Sequence, residues 1–168
     1  MNTAELLEDA FGRVRESVHG AVEGLSDDDL CARIDGTSNS IAWLVWHLTR
    51  VQDDHVSEVA GTDQLWTSSG WRVRFELPLE PVDTGYGHSL EQVGVVAADA
   101  ATLLGYFDSV HEATLRFVRG LRDADLDRVV DERWDPPVTL GVRLVSVADD
   151  DLQHAGQAAF VRGVLDRR

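Results

Sequence analysis

One stretch of sequence decides the fold class: residues 139–165, TLGVRLVSVADDDLQHAGQAAFVRGVL. Its apolar residues recur at the three- and four-residue steps of one α-helical face, and we expect this helix to begin near Thr139, just past two prolines. The core-facing stripe is interpreted as Val147, Asp150, His154, Ala158, Val161 and Leu165. Two polar residues therefore occupy successive turns of a helix face that is otherwise apolar.

Three further stretches have helical periodicity. The first covers residues 3–24. The second begins at Asn39 or Ser40, either of which is a suitable N-cap, and ends near residue 60, just before Gly61. The third opens at Ser89, which has capping-box spacing to a glutamine, and its apolar stripe continues to residue 121. Together with the carboxy-terminal helix, these stretches predict an all-α four-helix bundle.

The connections between the helices are unequal in length. Residues 62–88, between the second and third helices, form a long loop rich in Trp, Gly and Pro. Such a connection is uncommon in a compact domain unless it has a function, for example covering a site. Residues 123–138 are acidic and include a short extended segment at Val129-Val130. After the first helix, Ser26 and three aspartates predict a short helix that ends at Cys31.

The composition speaks against several functional classes. A chain of 168 residues can bury a core, and we expect a single domain over residues 1–168. The formal net charge of −15 argues against nucleic acid or an anionic membrane surface as a partner, and no apolar run is long enough to span a bilayer. Cys31 is the only cysteine, and the acidic amino terminus does not resemble a secretory signal. We therefore expect a cytoplasmic protein with a small-molecule substrate.

A polar residue also interrupts the apolar face of the second helix, where His47 lies between Leu44 and Val51. On the last helix, the four-residue spacing of Asp150 and His154 places their Cβ atoms about 5–6 Å apart on the same side. Two imidazoles and one carboxylate, with other coordination positions left open, are typical of a catalytic site for a divalent metal. The metal interpretation assigns His47, Asp150 and His154 as ligands.

A structural interpretation competes with the metal site. Asp150 would accept a hydrogen bond from His154, and His47 would be an ordinary buried or half-exposed histidine. A buried carboxylate and imidazole are costly unless they are paired or coordinated, and either arrangement removes that cost. Spacing alone leaves both interpretations open, because such pairs are frequent on helices. Of the three aspartates at 149–151, only Asp150 is expected to be buried.

The other candidate side chains receive weaker assignments. His55, beside Asp54, could line the same cavity, although a solvated helix end is the favoured interpretation. The side chains interpreted as edge, core or loop residues are His19, His88 and His111, and Cys31 is interpreted as a small half-buried residue rather than a nucleophile. In the long loop, packing is the favoured interpretation of Trp66 and Trp71, and a pocket wall is the alternative. Binding of acidic groups is one interpretation of Arg72 and Arg74.

Two segments resemble a known family. Residues 40–48, SIAWLVWHL, and residues 150–157, DDLQHAGQ, are similar to motifs of the DinB/YfiT-like superfamily, and the resemblance covers essentially the whole chain. The family's last helix commonly has His-x-x-x-His followed by x-Gly-Gln. Here Asp150 replaces the first of these histidines. Mycothiol-dependent maleylpyruvate isomerases of the family have glutamate there. Aspartate is one methylene shorter, which leaves direct and water-bridged ligation both open.

The resemblance implies a four-helix bundle in which the second helix supplies His47, and the fourth supplies Asp150 and His154, to a zinc or nickel ion. It also implies a homodimer. Several relatives are S-transferases that use mycothiol or bacillithiol. All 15 basic residues are arginine, which is typical of a high-GC genome and fits a mycothiol-using actinobacterial host. The isomerases have a further carboxy-terminal domain, so we do not expect isomerase activity here.

The favoured functional hypothesis is a metal-dependent thiol S-transferase that acts on small electrophiles, with mycothiol as the thiol cosubstrate. Gln157, one helical turn beyond His154, is expected to orient the ligands. One alternative is a metal-dependent hydrolase, with Asp54 or His55 as general base. The other is a non-catalytic metal-binding stress protein.

Overall fold

The computed structural model describes residues 1–168, and four long helices make up most of it. They are α1 (Thr3–Val22), α3 (Ile41–Ala60), α7 (Ala100–Arg119) and α8 (Leu140–Leu165). The connections contain short helices α2 (Asp27–Cys31), α4 (Leu65–Ser68), α5 (Trp71–Phe75) and α6 (Leu90–Gly94), a 3₁₀ turn at Asp123–Asp127, and the antiparallel strands β1 (Val129–Asp131) and β2 (Val138–Thr139). Helices α1 and α3 each pack against both α7 and α8. The predicted all-α four-helix bundle is confirmed.

None of these helices combines the length and the hydrophobicity that crossing a bilayer requires.

Local capping chemistry sets the ends of the helices that form the site. The Ser40 hydroxyl accepts a hydrogen bond from the Trp43 amide at the start of α3, and Gly61 ends that helix in the left-handed conformation with φ of 69°. Thr139 caps α8 in the same way as Ser40 caps α3. The predicted starts of the second and fourth long helices are therefore confirmed.

The third long helix begins later than the sequence predicted. The capping box at Ser89 is present, but it starts only α6, which ends at Gly94. Helix α7 has its own N-cap, Asp99, whose side chain accepts a hydrogen bond from the amide of Thr102. Gly94 would lie in the interior of one continuous helix, where glycine is less favourable than alanine by about 1 kcal/mol. An aspartate five residues later offers a competing start. One continuous apolar stripe was thus interpreted as one helix where the chain forms two.

The buried face of α8 is offset from the predicted stripe. Val147, Ala158 and Val161 are buried as predicted, but Asp151 and Ala155 fill the positions between them. Successive residues on a helix point about 100° apart. A difference of one residue therefore moves Asp150 and His154 out of the apolar stripe to half-buried positions beside it, with side chains 32% and 18% exposed. The expectation that Asp150 is the buried member of the aspartate triplet is wrong.

The long loop packs into the core. Trp66 and Trp71 are buried against Tyr106, as the packing interpretation of these side chains predicts, and neither lines a pocket. The buried Asp53 carboxylate holds this loop to α3, because it accepts hydrogen bonds from the amides of Leu65 and Trp66 and from the Tyr106 hydroxyl. These hydrogen bonds fix the start of the loop on α3, and the end of the loop, near Thr84, contacts His47 on the same helix.

Candidate metal centre

Helices α3 and α8 bring His47, Asp150 and His154 to one point. Each residue offers one potential ligand atom, and these three atoms lie within 4.8 Å of one another. The imidazole centroids of His47 and His154 are 4.8 Å apart. The structure thus assembles the three side chains that the sequence singled out. Their ligation of a metal stays a prediction.

Both imidazoles are held through Nδ1. The Nδ1 atom of His47 donates a hydrogen bond to the carbonyl oxygen of Thr84, and Nδ1 of His154 donates to Oε1 of Gln157 at 3.0 Å. A neutral imidazole with its proton on Nδ1 has its lone pair on Nε2. When either ring is neutral, its Nε2 can therefore bind a metal, and Gln157 is placed where it can orient His154.

The Asp150 carboxylate has an incomplete set of partners. Its Oδ1 lies 3.6 Å from Nε2 of His154, which is longer than a hydrogen bond. Its Oδ2 is inaccessible to solvent and has no hydrogen-bond partner. A buried carboxylate oxygen without a partner is costly, and a cation between the three side chains would remove that cost. The three side chains could together hold a divalent metal ion.

The two histidines have opposite protonation tendencies. Burial lowers the pKa of His47, which favours the neutral imidazole. The interaction with Asp150 is the main reason that the pKa of His154 is raised, and it outweighs the opposing effect of burial. Binding of a metal must displace any proton on His154 Nε2, so metal affinity is expected to fall in acid.

A cleft of about 530 Å³ lies beside His47 and Asp150. Its apolar lining includes Val51 and Val142. Two aromatic side chains that the sequence analysis did not single out also line it: Tyr86, 93% exposed, and Trp134, 66% exposed. The cleft is large enough for a small molecule and reaches two of the three candidate ligands.

The end of the cleft away from Asp150 carries paired charges. Arg143 donates to Oε2 of Glu58 at 2.5 Å and lies 3.1 Å from Nδ1 of His55. Arg133 binds both carboxylate oxygens of Asp131, and this hydrogen bonding keeps the pKa of the Asp131 carboxyl well below its usual range. Because these charges are balanced within the protein, this end of the cleft is polar without being strongly cationic.

Other residues singled out from the sequence have different positions. His55 and Asp54 line the cleft, rather than forming only a solvated helix end. Arg72 and Arg74 do not line it, and Arg74 stacks on Trp71 instead. The lone thiol, Cys31, is half-buried, and burial raises its pKa, which is unfavourable for a nucleophile.

Sequence reasoning missed Thr84, Tyr86 and Trp134. A weak signal was available for Trp134, which stands in an acidic, proline-containing segment where burial of an aromatic ring is not expected. No local pattern marks Thr84, because its role depends on a backbone carbonyl.

Comparisons with known proteins identify the family and the fold. The sequence model described as the DinB superfamily matches residues 10–158. Among solved structures, the chain is similar to a conserved protein of Enterococcus faecalis, with 29% sequence identity and a TM-score of 0.92 over 100% of this chain and 99% of that chain. No curated protein matches the sequence significantly. The resemblance read from residues 40–48 and 150–157 is confirmed.

Proposed function

The chain belongs to the DinB superfamily, and from this premise we propose that it is a metal-dependent S-transferase joining a mycothiol-type thiol to small electrophiles. Zinc or nickel would be held by His47, Asp150 and His154. The observation that carries the proposal is the convergence of these three side chains beside a substrate-sized cleft that His47 and Asp150 line. Three protein ligands leave coordination positions open, as catalytic metal sites require.

Each side chain has a separate part in this proposal. His47 and His154 present Nε2, and the Thr84 carbonyl and the Gln157 amide oxygen hold the two rings in place. Asp150 contributes the negative charge that neutralises part of the cation. When bound, a divalent metal lowers the pKa of a coordinated thiol, which is about 8.5 when free, so that thiolate forms at neutral pH.

The cleft supports a neutral or weakly polar electrophile. Its apolar side chains can cover a carbon skeleton, whereas the arginines at its far end already bind carboxylates of the protein. In the reaction, the thiol sulfur forms a bond to the electrophilic carbon. With a halide, the carbon–halogen bond breaks and the halide ion departs with the bonding electrons. With an activated alkene, the π bond opens and the carbanion takes a proton from water. For an epoxide, the opened ring oxygen takes a proton from water. The thiol proton passes to solvent through the open cleft.

A metal-dependent hydrolase is the second candidate. Asp54 and His55 line the same cleft, and burial lowers the pKa of His55, which favours the neutral form that a general base needs. Water would then replace the thiol as nucleophile. A non-catalytic metal-binding role is the third candidate.

The deciding experiment uses purified protein loaded with zinc or nickel. Mycothiol is offered with a panel of epoxides, halides and activated alkenes, with and without a chelator. Metal-dependent conjugation above the uncatalysed rate is expected. Chelator-sensitive ester cleavage without thiol would instead support the hydrolase, and silence in both assays would support the binding role.

Cobalt substitution tests the chemistry at the sulfur. Adding thiol to the cobalt-loaded protein is expected to produce a sulfur-to-metal charge-transfer band. An unchanged spectrum, together with no electrophile reacting faster than in buffer, would rule out the transferase.

A further inference from the structure

Three side chains on one face of α3 hold the end of the long loop. Trp43 Nε1 donates to Nδ1 of His88 at 3.1 Å, and Arg50 Nε donates to the carbonyl oxygen of Asp83 at 3.1 Å. Between them, His47 donates to the carbonyl oxygen of Thr84. These helix positions are four and three residues apart, so their side chains lie along one line on the helix surface. We call residues 83–88 the clamp segment.

The clamp segment is also closed within itself. Oδ1 of Asp83 accepts hydrogen bonds from the amide of Gly85 at 2.8 Å and from Nε2 of His88 at 2.9 Å. Because Nδ1 of His88 accepts from Trp43, the proton of its neutral ring is on Nε2. The His88 side chain is only 3% exposed. The His88 ring is therefore held at both nitrogen atoms, by Trp43 and by Asp83.

Glycine is required where the clamp segment meets His47. Gly85 has φ of 93°, and a Cβ atom there would lie 2.8 Å from Nδ1 of His47 and 3.0 Å from the Trp46 ring. The first distance is shorter than real Cβ contacts allow. The His47 ring also stacks on the Trp43 ring, with centroids 4.6 Å apart. The close backbone approach is what brings the Thr84 carbonyl to His47.

We propose that the clamp segment fixes the tautomer and the ring orientation of His47, with Gly85 and Asp83 as positioning residues. A carbonyl oxygen can only accept, so it admits only the tautomer with the proton on Nδ1. The unprotonated Nε2 is thereby available to the point shared with Asp150 and His154. The use of this Nε2 for metal binding rests on the proposed function, whereas the tautomer itself does not.

The test compares two glycines of the same segment. Gly85→Ala introduces the clash, whereas Gly87→Ala is a matched control, because Gly87 also has positive φ, 72°, but has no atom within 4 Å of its Cβ position. Both variants carry the backbone strain of a left-handed alanine. Only Gly85→Ala pushes the carbonyl of the preceding residue away from His47.

The first readout is independent of metal. Nitrogen-15 NMR of the metal-free protein, with the His47 signals assigned by their loss in His47→Gln, is expected to show a single tautomer protonated on Nδ1. Gly87→Ala should keep it, and Gly85→Ala should lose it. A wild-type His47 protonated on Nε2, or an unchanged tautomer in Gly85→Ala, would overturn the inference.

The second readout is zinc affinity, measured by competition with a chromophoric chelator. Loss of an orienting partner typically weakens metal binding about 10–100-fold, and we expect a loss in this range for Gly85→Ala but not for Gly87→Ala. If zinc does not bind the wild type while His47 is protonated on Nδ1, the proposed function fails and the inference stands.

Asp83→Ala covers the case in which Gly85→Ala does not fold. It removes the acceptor that Gly85 and His88 share without adding an atom. A folded Asp83→Ala protein, checked by far-UV circular dichroism, is expected to lose the single His47 tautomer. Retention of that tautomer at wild-type zinc affinity would overturn the inference.

Discussion

Replacing Asp151 by asparagine is expected to stabilise the protein at neutral pH. The Asp151 side chain is completely buried in the α8 stripe between Val147 and Ala155, and neither carboxylate oxygen has a hydrogen-bond partner. Burial, with a smaller contribution from the charge of Asp150, raises the pKa of Asp151 well above its ordinary value. The folded protein therefore favours the neutral acid.

The size of the gain follows from linkage. In an unfolded chain an aspartate has a pKa of about 3.9, so holding the carboxyl neutral at pH 7 costs at most about 4 kcal/mol. Because the folded pKa is the raised one, this group's contribution to stability is fully present below the unfolded pKa and is lost as pH rises through the folded pKa. Asparagine is a buried polar group of similar size that does not ionise, so it avoids only the pH-dependent cost.

The assay is urea unfolding followed by far-UV circular dichroism, with chelator present. The gain of Asp151→Asn over wild type should be up to about 4 kcal/mol at pH 7 and about 1 kcal/mol at pH 4.5. Asp149→Asn is the matched control on the same helix, because Asp149 is exposed and accepts only from Gln153. It should change stability by less than about 0.5 kcal/mol. A change in stability for Asp151→Asn that is equal at both pH values would show that the pKa of the folded carboxyl is not raised.

Three further outcomes are expected. Wild-type protein exchanged with zinc should retain about one ion per chain by elemental analysis; His47→Ala should lose it and His19→Ala should keep it, and equal retention by both variants would contradict the site. If Asp150 ligates directly, Asp150→His should preserve zinc affinity and Asp150→Asn should weaken it strongly, whereas a bracing role predicts a loss of about 10–100-fold in Asp150→Asn, as measured by chelator competition. Burial lowers the pKa of His19, but its hydrogen bonds to Glu23 and Asp108 outweigh this and leave the pKa raised. Its stabilising charge is therefore present at pH 6 and lost as pH rises through the folded pKa, so His19→Asn should cost up to about 1 kcal/mol at pH 6 and less at pH 8.5, in thermal unfolding.

Elements determined by local chemistry were predictable from the sequence. Ser40 and Thr139 are N-caps with an adjacent apolar pattern, and Gly61 ends a helix where a left-handed residue is needed. These signals act over four residues or fewer. The break between α6 and α7 was not predicted, because the apolar stripe continues across Gly94. Periodicity alone does not distinguish one long helix from two consecutive helices whose apolar residues keep the same spacing.

The parts of the site that come from the helices were also predictable, whereas those from the connections were not. His47 and His154 stand on amphipathic helices, where a polar residue near an apolar face is visible in the sequence. The long loop brings Thr84 and Tyr86 to the same region, and the connection between β1 and β2 brings Trp134 there. Their positions depend on long-range packing, such as the hydrogen bonds that hold the loop to α3, and no local periodicity encodes such packing.

The adjacent aspartates of α8 illustrate the limit of a periodicity argument. Asp150 and Asp151 are chemically identical, and a one-residue ambiguity in the stripe exchanges their environments. At 150 the carboxylate lies beside two imidazoles and lines a cleft. The Asp151 carboxyl is inaccessible to solvent and has no hydrogen-bond partner, so burial raises its pKa, and the neighbouring charge of Asp150 raises that pKa further. Burial and the neighbouring charge therefore both favour the neutral acid at Asp151. Only the packing of α8 against its neighbours decides which aspartate has which role.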